Sequence, residues 1–137
     1  MANEWTKVEL YGANNDGDPR RYTVASGTAI AKGTLLAMTD ARTAIAHSGI
    51  DQPIAGVAAM AKSATDLSTS ISAWTNGVFE VTSSGAITVG RGVVSGVTAN
   101  QVRQAGVNST AASGAVVMGY VLETGEEAEV INVRLKL

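Results

Sequence analysis

Val130-Ile131-Asn132-Val133-Arg134-Leu135-Lys136-Leu137 alternates two kinds of position. Ile131, Val133, Leu135 and Leu137 form an apolar set, and Asn132, Arg134 and Lys136, in phase with Val130, form a mostly polar one. A period of two places one set on a dry face and the other on a wet face of a strand. Working back along the chain, the same β character recurs in short runs. They are Trp5 to Tyr11, Arg21 to Ala25, Thr34 to Met38, Thr43 to Ala46, Ile54 to Ala61, Ser70 to Trp74, Gly77 to Val81, Ala86 to Val89, Gly92 to Ser95, Gln101 to Gln104, Ala115 to Glu123 and Glu129 to Leu137. Turn chemistry separates them at Lys32-Gly33, Thr75-Asn76-Gly77, Ser83-Ser84-Gly85, Ser113-Gly114 and Thr124-Gly125. Asn76-Gly77, flanked by Ile71, Ala73, Val78 and Glu80, predicts a tight hairpin. The one helical signal is MAKSATDL within Ala58 to Leu67, where a short helix would bring Met60, Ala64 and Leu67 onto one face. The expected class is therefore all-β, a compact small barrel or sandwich (β-tulip-like) with at most one short helix.

An echo runs through the chain. Ser84-Gly85-Ala86-Ile87-Thr88-Val89-Gly90 and Ser113-Gly114-Ala115-Val116-Val117-Met118-Gly119 share one pattern, and Ser26-Gly27-Thr28-Ala29-Ile30-Ala31-Lys32-Gly33 repeats it with one insertion. Each reads as a turn, a short strand and a second glycine where the backbone bends. Turn chemistry in a Gly- and Ser-rich β protein favours a recurring hairpin solution over a true duplication, and the irregular spacing rules out a solenoid.

Residues 1–20 differ from the rest. Trp5 and Tyr11 are followed by the polar stretch Ala13-Asn14-Asn15-Asp16-Gly17-Asp18-Pro19, so an extended N-terminal arm is expected, with a single β-rich domain over residues 21–137. The arm is a candidate anchor through Trp5, Val8, Leu10 and Tyr11, because an extended segment can add a strand to a neighbour's sheet edge. The alternative is an ordinary first strand of the chain's own sheet. Arg20 and Arg21 are candidate contacts with an acidic partner surface.

Composition excludes much else. Ala, Val, Thr and Ser make up roughly 46% of the 137 residues, which leaves a core of small side chains and favours burial against partners. With no cysteine there is no disulfide framework, thiolate metal site or cysteine nucleophile, and one histidine, His47, cannot build a multi-histidine centre. A net charge of −2 argues against nucleic-acid binding. No apolar run approaches a membrane span, and the N-terminal stretch lacks a secretion signal, so no membrane partner and synthesis in a cytoplasm are expected. His47 has no nucleophile elbow beside it and reads as a surface or satisfied residue. Gly90-Arg91-Gly92 lacks the features of a phosphate loop. Asn14, Asn15, Asp16 and Asp18 lack the closing glutamate of a calcium loop and read as a solvated Asx turn. Glu123, Glu126, Glu127 and Glu129 read as a solvated hairpin tip. Neither catalytic residues nor a cofactor are expected.

The ordered runs Tyr22-Thr23-Val24, Ser26 to Leu36, Asp51-Gln52-Pro53-Ile54-Ala55-Gly56-Val57-Ala58, Asn76-Gly77-Val78-Phe79-Glu80, Ala86-Ile87-Thr88-Val89-Gly90 and Gly119-Tyr120-Val121-Leu122-Glu123 resemble the small capsid cement or head decoration proteins of tailed bacteriophages. The resemblance implies a non-enzymatic virion protein on the outer capsid surface. It would bind the major capsid protein, commonly as a homotrimer, and stabilise the mature head. Two other functions remain open from the residues themselves. One is a carbohydrate-binding or adhesin-like β module, whose platforms would come from Trp5, Tyr11, Tyr22, Trp74, Phe79 and Tyr120. The other is a tail-tube or ring subunit.

Overall fold

A computed structural model describes residues 3–50, 52–105 and 117–137. Its eleven strands are β1 (Thr6–Leu10), β2 (Arg20–Thr23), β3 (Leu35–Asp40), β4 (Thr43–Ala46), β5 (Ile54–Ala58), β6 (Ser70–Trp74), β7 (Asn76–Ser83), β8 (Gly92–Ser95), β9 (Gln101–Gln104), β10 (Gly119–Val121) and β11 (Val130–Lys136). The class is all-β, as expected. The stretch from Ala58 to Leu67 is not a helix. It holds the end of β5, a bridge from Lys62 to Ile30 and turns, and the supposed apolar face is exposed at Met60, Ala64 and Leu67, so packing does not favour a helix there. Ala86 to Val89 contributes only a single bridge, Ile87 to Gly125.

Strands β2 to β6 close into a barrel in the order β2-β4-β3-β5-β6. Strands β7 to β11 also close, because β7-β11-β10-β8-β9 returns to β7 through a parallel β7–β9 pairing. The two circuits are the same. In each, the first strand pairs parallel with the third and antiparallel with the fifth, and the second, third, fourth and fifth are joined antiparallel in the same order. The registers also agree: Leu35–Val57–Trp74 across β3, β5 and β6 has its counterpart in Gly92–Tyr120–Arg134 across β8, β10 and β11. Even the bridges between strands match, Ile30 to Lys62 against Ile87 to Gly125.

Equivalence extends to the backbone. Gly33 N–H donates to Ala58 O and Gly90 N–H to Val121 O, both at 2.9 Å, and the two glycines have φ of 89° and 83°. The echoed Ser26 to Gly33 and Ser84 to Gly90 are thus the same loop in two barrels, and the expected hairpin recurrence is corrected to a structural repeat. The third echo, from Ser113, starts outside the described residues, and its last glycine, Gly119, matches Gly56. Each of that pair lies tight against its antiparallel neighbour strand, where a Cβ would strike the carbonyl of Trp74 or of Arg134. Only glycine fits such a backbone approach.

Each barrel buries its own core. The first uses Tyr22, Val24, Ile30, Leu36, Ala44, Ala55, Ala58, Ile71 and Ala73. The counterparts in the second are Val81, Ser83, Ile87, Val93, Val102, Met118, Val121, Ile131 and Val133, every one buried. Between the barrels lies a seam of Trp5, Leu35, Ile54, Val57, Trp74, Phe79 and Leu135, continuous with the second core. The join is one residue, Thr75. It is buried, its N–H donates to Gly17 O at 2.8 Å, its hydroxyl donates to Asp18 O at 2.8 Å, and its carbonyl accepts from Leu137 N at 2.9 Å. Asn76-Gly77 therefore does not turn a hairpin. Strand β6 pairs within the first barrel and β7 within the second, and Gly77 accommodates the backbone of Glu9 and Leu10 from β1.

Candidate functional site

The N-terminal segment is not a free arm. Strand β1 runs antiparallel to β7, which corrects the arm reading in favour of a first strand of the chain's own sheet. Trp5 is 3% exposed, its ring lies 5.7 Å from Phe79 at 56°, and its indole Nε1–H donates to Asn100 O at 2.9 Å. Burial of a large aromatic with its one polar group satisfied makes it part of the seam and leaves no surface for a partner. Leu10 packs half-buried on the same core. Val8 is 52% exposed at a β-bulge between Lys7 and Glu9. A bulge flanked by charges blunts an edge strand against further pairing.

Tyr11 sits half-buried just beyond β1. Its hydroxyl donates to Glu9 Oε1 at 2.9 Å, and the Arg134 guanidinium lies 4.5 Å from its ring centre. The bond to the Glu9 carboxylate favours the protonated phenol and raises its pKa above the usual 10.0. Arg20 and Arg21 are exposed on β2 in the other barrel, with Arg21 Nη2 donating to Ser70 Oγ at 2.7 Å. The six candidates therefore divide. Trp5 and Leu10 hold the barrels together, Val8 and Tyr11 lie along β1, and the two arginines lie on the first barrel.

A group the sequence did not single out organises the seam. Asn100, buried with φ 67°, sits in the β8–β9 turn. Its Oδ1 accepts from Leu35 N–H at 2.9 Å, its carbonyl accepts from Trp5, and its N–H donates to His47 Nδ1 at 3.0 Å. His47 completes the link, because its Nε2 lies 2.8 Å from Gly49 O and must donate there when Nδ1 accepts. The lone histidine is thus a satisfied buried residue. Burial lowers its pKa below 6.5. On the outer edge of the seam, a cleft of about 360 Å³ is lined by Glu4, Trp5, Thr6, Lys7, Lys32 and Trp74. The Lys7 and Lys32 ammonium groups stand 5.8 Å and 5.7 Å from the Trp74 ring and give that edge a cationic rim.

The polar segment after Tyr11 is tied down at several points. Asp18 N–H donates to Asp16 Oδ1 at 3.2 Å, the expected Asx turn, and Asp18 Oδ2 accepts from Asn76 Nδ2 at 2.8 Å. No group of three or more His, Cys, Asp or Glu side chains suited to a metal occurs among the described residues. Glu123, Glu126, Glu127 and Glu129 occupy the exposed turn between β10 and β11, where Glu129 Oε2 accepts from Glu126 N–H at 2.9 Å. Trp5, Tyr22, Trp74 and Phe79 are all buried, so of the six aromatics only Tyr11 and Tyr120 reach the surface.

No protein-family model matches the sequence, and a search of curated proteins finds no match. Among solved structures, the crystal structure of the head fiber gp8.5 N base in bacteriophage phi29 is similar, with a TM-score of 0.54 at 16% identity over 86% of this chain and 94% of that one. An alignment of that extent cannot be met by one barrel alone. The likeness is one of fold, and it covers the tandem arrangement of the barrels.

Proposed function

We propose that this chain is a non-enzymatic structural protein of a tailed-phage virion. It binds the major capsid protein on the outer surface of the head, as a homotrimer, and cements the mature shell. The observation that carries this reading is the fold, shared over almost its whole length with the base of a phage head fiber. The mechanics agree. Two closed barrels joined by one buried residue and locked by Asn100 make a stiff block with little internal freedom to lose on docking. A protein of small side chains also gains stability by binding in its folded form alone. Val8, Arg20 and Arg21 remain its exposed capsid contacts, whereas Trp5 acts by holding the block rigid.

The test adds purified protein to expanded capsids that lack it. Saturable binding with raised resistance to heat or chelator is expected, and the absence of saturable binding would overturn the proposal.

A further inference from the structure

Two lysines converge on the cleft at the outer edge of the seam without an anion between them. Their ammonium groups stand 5.8 Å (Lys7) and 5.7 Å (Lys32) from the one Trp74 ring, in a space of about 360 Å³. Among the described residues no carboxylate pairs with either ammonium, although Glu4 lines the same cleft. The Trp74 indole Nε1–H is unspent as well. It donates to no group among the described residues, whereas Trp5 Nε1–H donates to Asn100 O at 2.9 Å. Like charges gathered at one ring repel each other, and an anion set between them removes that cost.

Backbone bonds fix the walls. Trp5 N–H donates to Gly33 O at 2.8 Å, which clamps the lead-in of β1 to the turn that carries Lys32, and Lys7 is held in register with Phe79. The repeat by itself does not produce this arrangement. Val89 and Arg134 hold the positions of Lys32 and Trp74 in the second barrel, and Tyr120, the match of Val57, is 45% exposed there.

We propose that the Lys7–Lys32–Trp74 cleft receives the carboxylate of an Asp or Glu side chain carried on a segment of a protein partner. Two ammonium groups and Glu4 leave one positive charge in surplus, which a single carboxylate balances. A phosphate dianion would overshoot that balance and face Glu4. The volume exceeds that of a lone carboxylate and accommodates the side chain with the stretch of chain that bears it. Preformed walls leave little to order on binding. The inference rests on the capsid-binding reading for its partner and names the chemistry of one contact, but it is measured on the free protein.

The test titrates the full chain with acetyl-Gly-Gly-Glu-Gly-Gly-amide and follows the two tryptophan indole signals by ¹⁵N–¹H NMR. A saturable shift of the Trp74 signal is expected, with a Kd of about 1–10 mM. Lys7→Gln and Lys32→Gln should each weaken it by about 3- to 5-fold, and Glu4→Gln should tighten it by about 2-fold, with thermal unfolding unchanged. Lys136→Gln, at an exposed position on β11, should bind as the wild type does. No saturable shift up to about 50 mM peptide, equal binding of the Gln counterpart peptide, or lysine variants that bind like the wild type would each overturn the inference. Propionate or inorganic phosphate binding as tightly as the peptide would overturn it too, by assigning the cleft to a small free anion. Capsid binding separates the two proposals. Peptide binding by protein that ignores capsids sinks the cement reading alone. Capsid binding that is untouched in the Lys7→Gln, Lys32→Gln double variant sinks the inference alone.

Discussion

The two barrels follow one circuit of hydrogen bonds with different fillings. Four of the nine core positions in the first barrel are alanine, Ala44, Ala55, Ala58 and Ala73, and their counterparts in the second are Val102, Met118, Val121 and Val133. Tyr22 offsets part of that deficit, standing where the second barrel has Val81. Only Ile30 with Ile87 and Ile71 with Ile131 are identical among the nine pairs. The comparison teaches that ladder register and a few glycines specify this fold, while the core accepts different fillings on the same circuit. The outer faces differ in the opposite sense. The first barrel is apolar where the second packs on it, and the second keeps a smaller apolar patch facing solvent.

That contrast is sharpest at the seam. Phe79→Ala removes a fully buried ring that touches both Trp5 and Trp74, and it should cost about 3–5 kcal/mol in urea unfolding. Tyr120→Ala on the open face should stay within about 0.5 kcal/mol in dilute protein. Equal losses would mean that the two faces are not buried and open as described. Next come the equivalent turns. Asn100 and Arg42 both have positive φ, 67° and 48°, ahead of the third strand of each barrel. Asn100→Ala leaves the buried Leu35 N–H without its acceptor and places alanine in a left-handed conformation, for about 2–4 kcal/mol. Arg42→Ala should stay within about 0.5 kcal/mol, because arginine already carries the Cβ that is strained at positive φ and its side chain reaches no further than the exposed Arg21 carbonyl. Matching values would show that Asn100 does not join the barrels.

The smallest effect expected is the pH dependence of the seam. His47 is held neutral when folded, with its pKa below the 6.5 of the unfolded chain. The unfolded state therefore binds more protons between those two values. This contribution is complete above about pH 6.5 and is lost as pH falls from there toward the lowered pKa. Thermal unfolding at pH 8 and at pH 5 should differ more for the wild type than for His47→Gln. An unchanged difference would place His47 outside the energetics of the seam.

Much of the fold was legible because strands and turns are local. All eleven strands overlap predicted runs, β2, β3 and β7 extend beyond theirs by one to three residues, and β4, β6, β8 and β9 match end to end. The Asx turn at Asp16 also followed from residue chemistry, whereas His47 read as a surface or satisfied residue and the structure decided for the second. The candidate site was legible only in part. Trp5 and Tyr11 stand six residues apart in the same polar-flanked segment, and nothing local says that one enters a seam while the other meets Arg134. The duplication stayed hidden for a related reason. Closed barrels are defined by backbone pairing between distant residues, and alanine, valine, methionine and tyrosine can all fill equivalent positions.

By itself the sequence determined the all-β class, the strand positions, and the absence of cysteine and multi-histidine chemistry, since these depend on near neighbours and on composition. The tertiary structure alone decided that the strands close into two matching barrels, that β1 belongs to the second sheet, and that Asn76-Gly77 opens a new barrel where a hairpin was expected. Strand partners are chosen by long-range burial and register, which no short stretch encodes. The same long-range packing buries Leu35, Val57 and Trp74 and leaves Tyr120 at the surface.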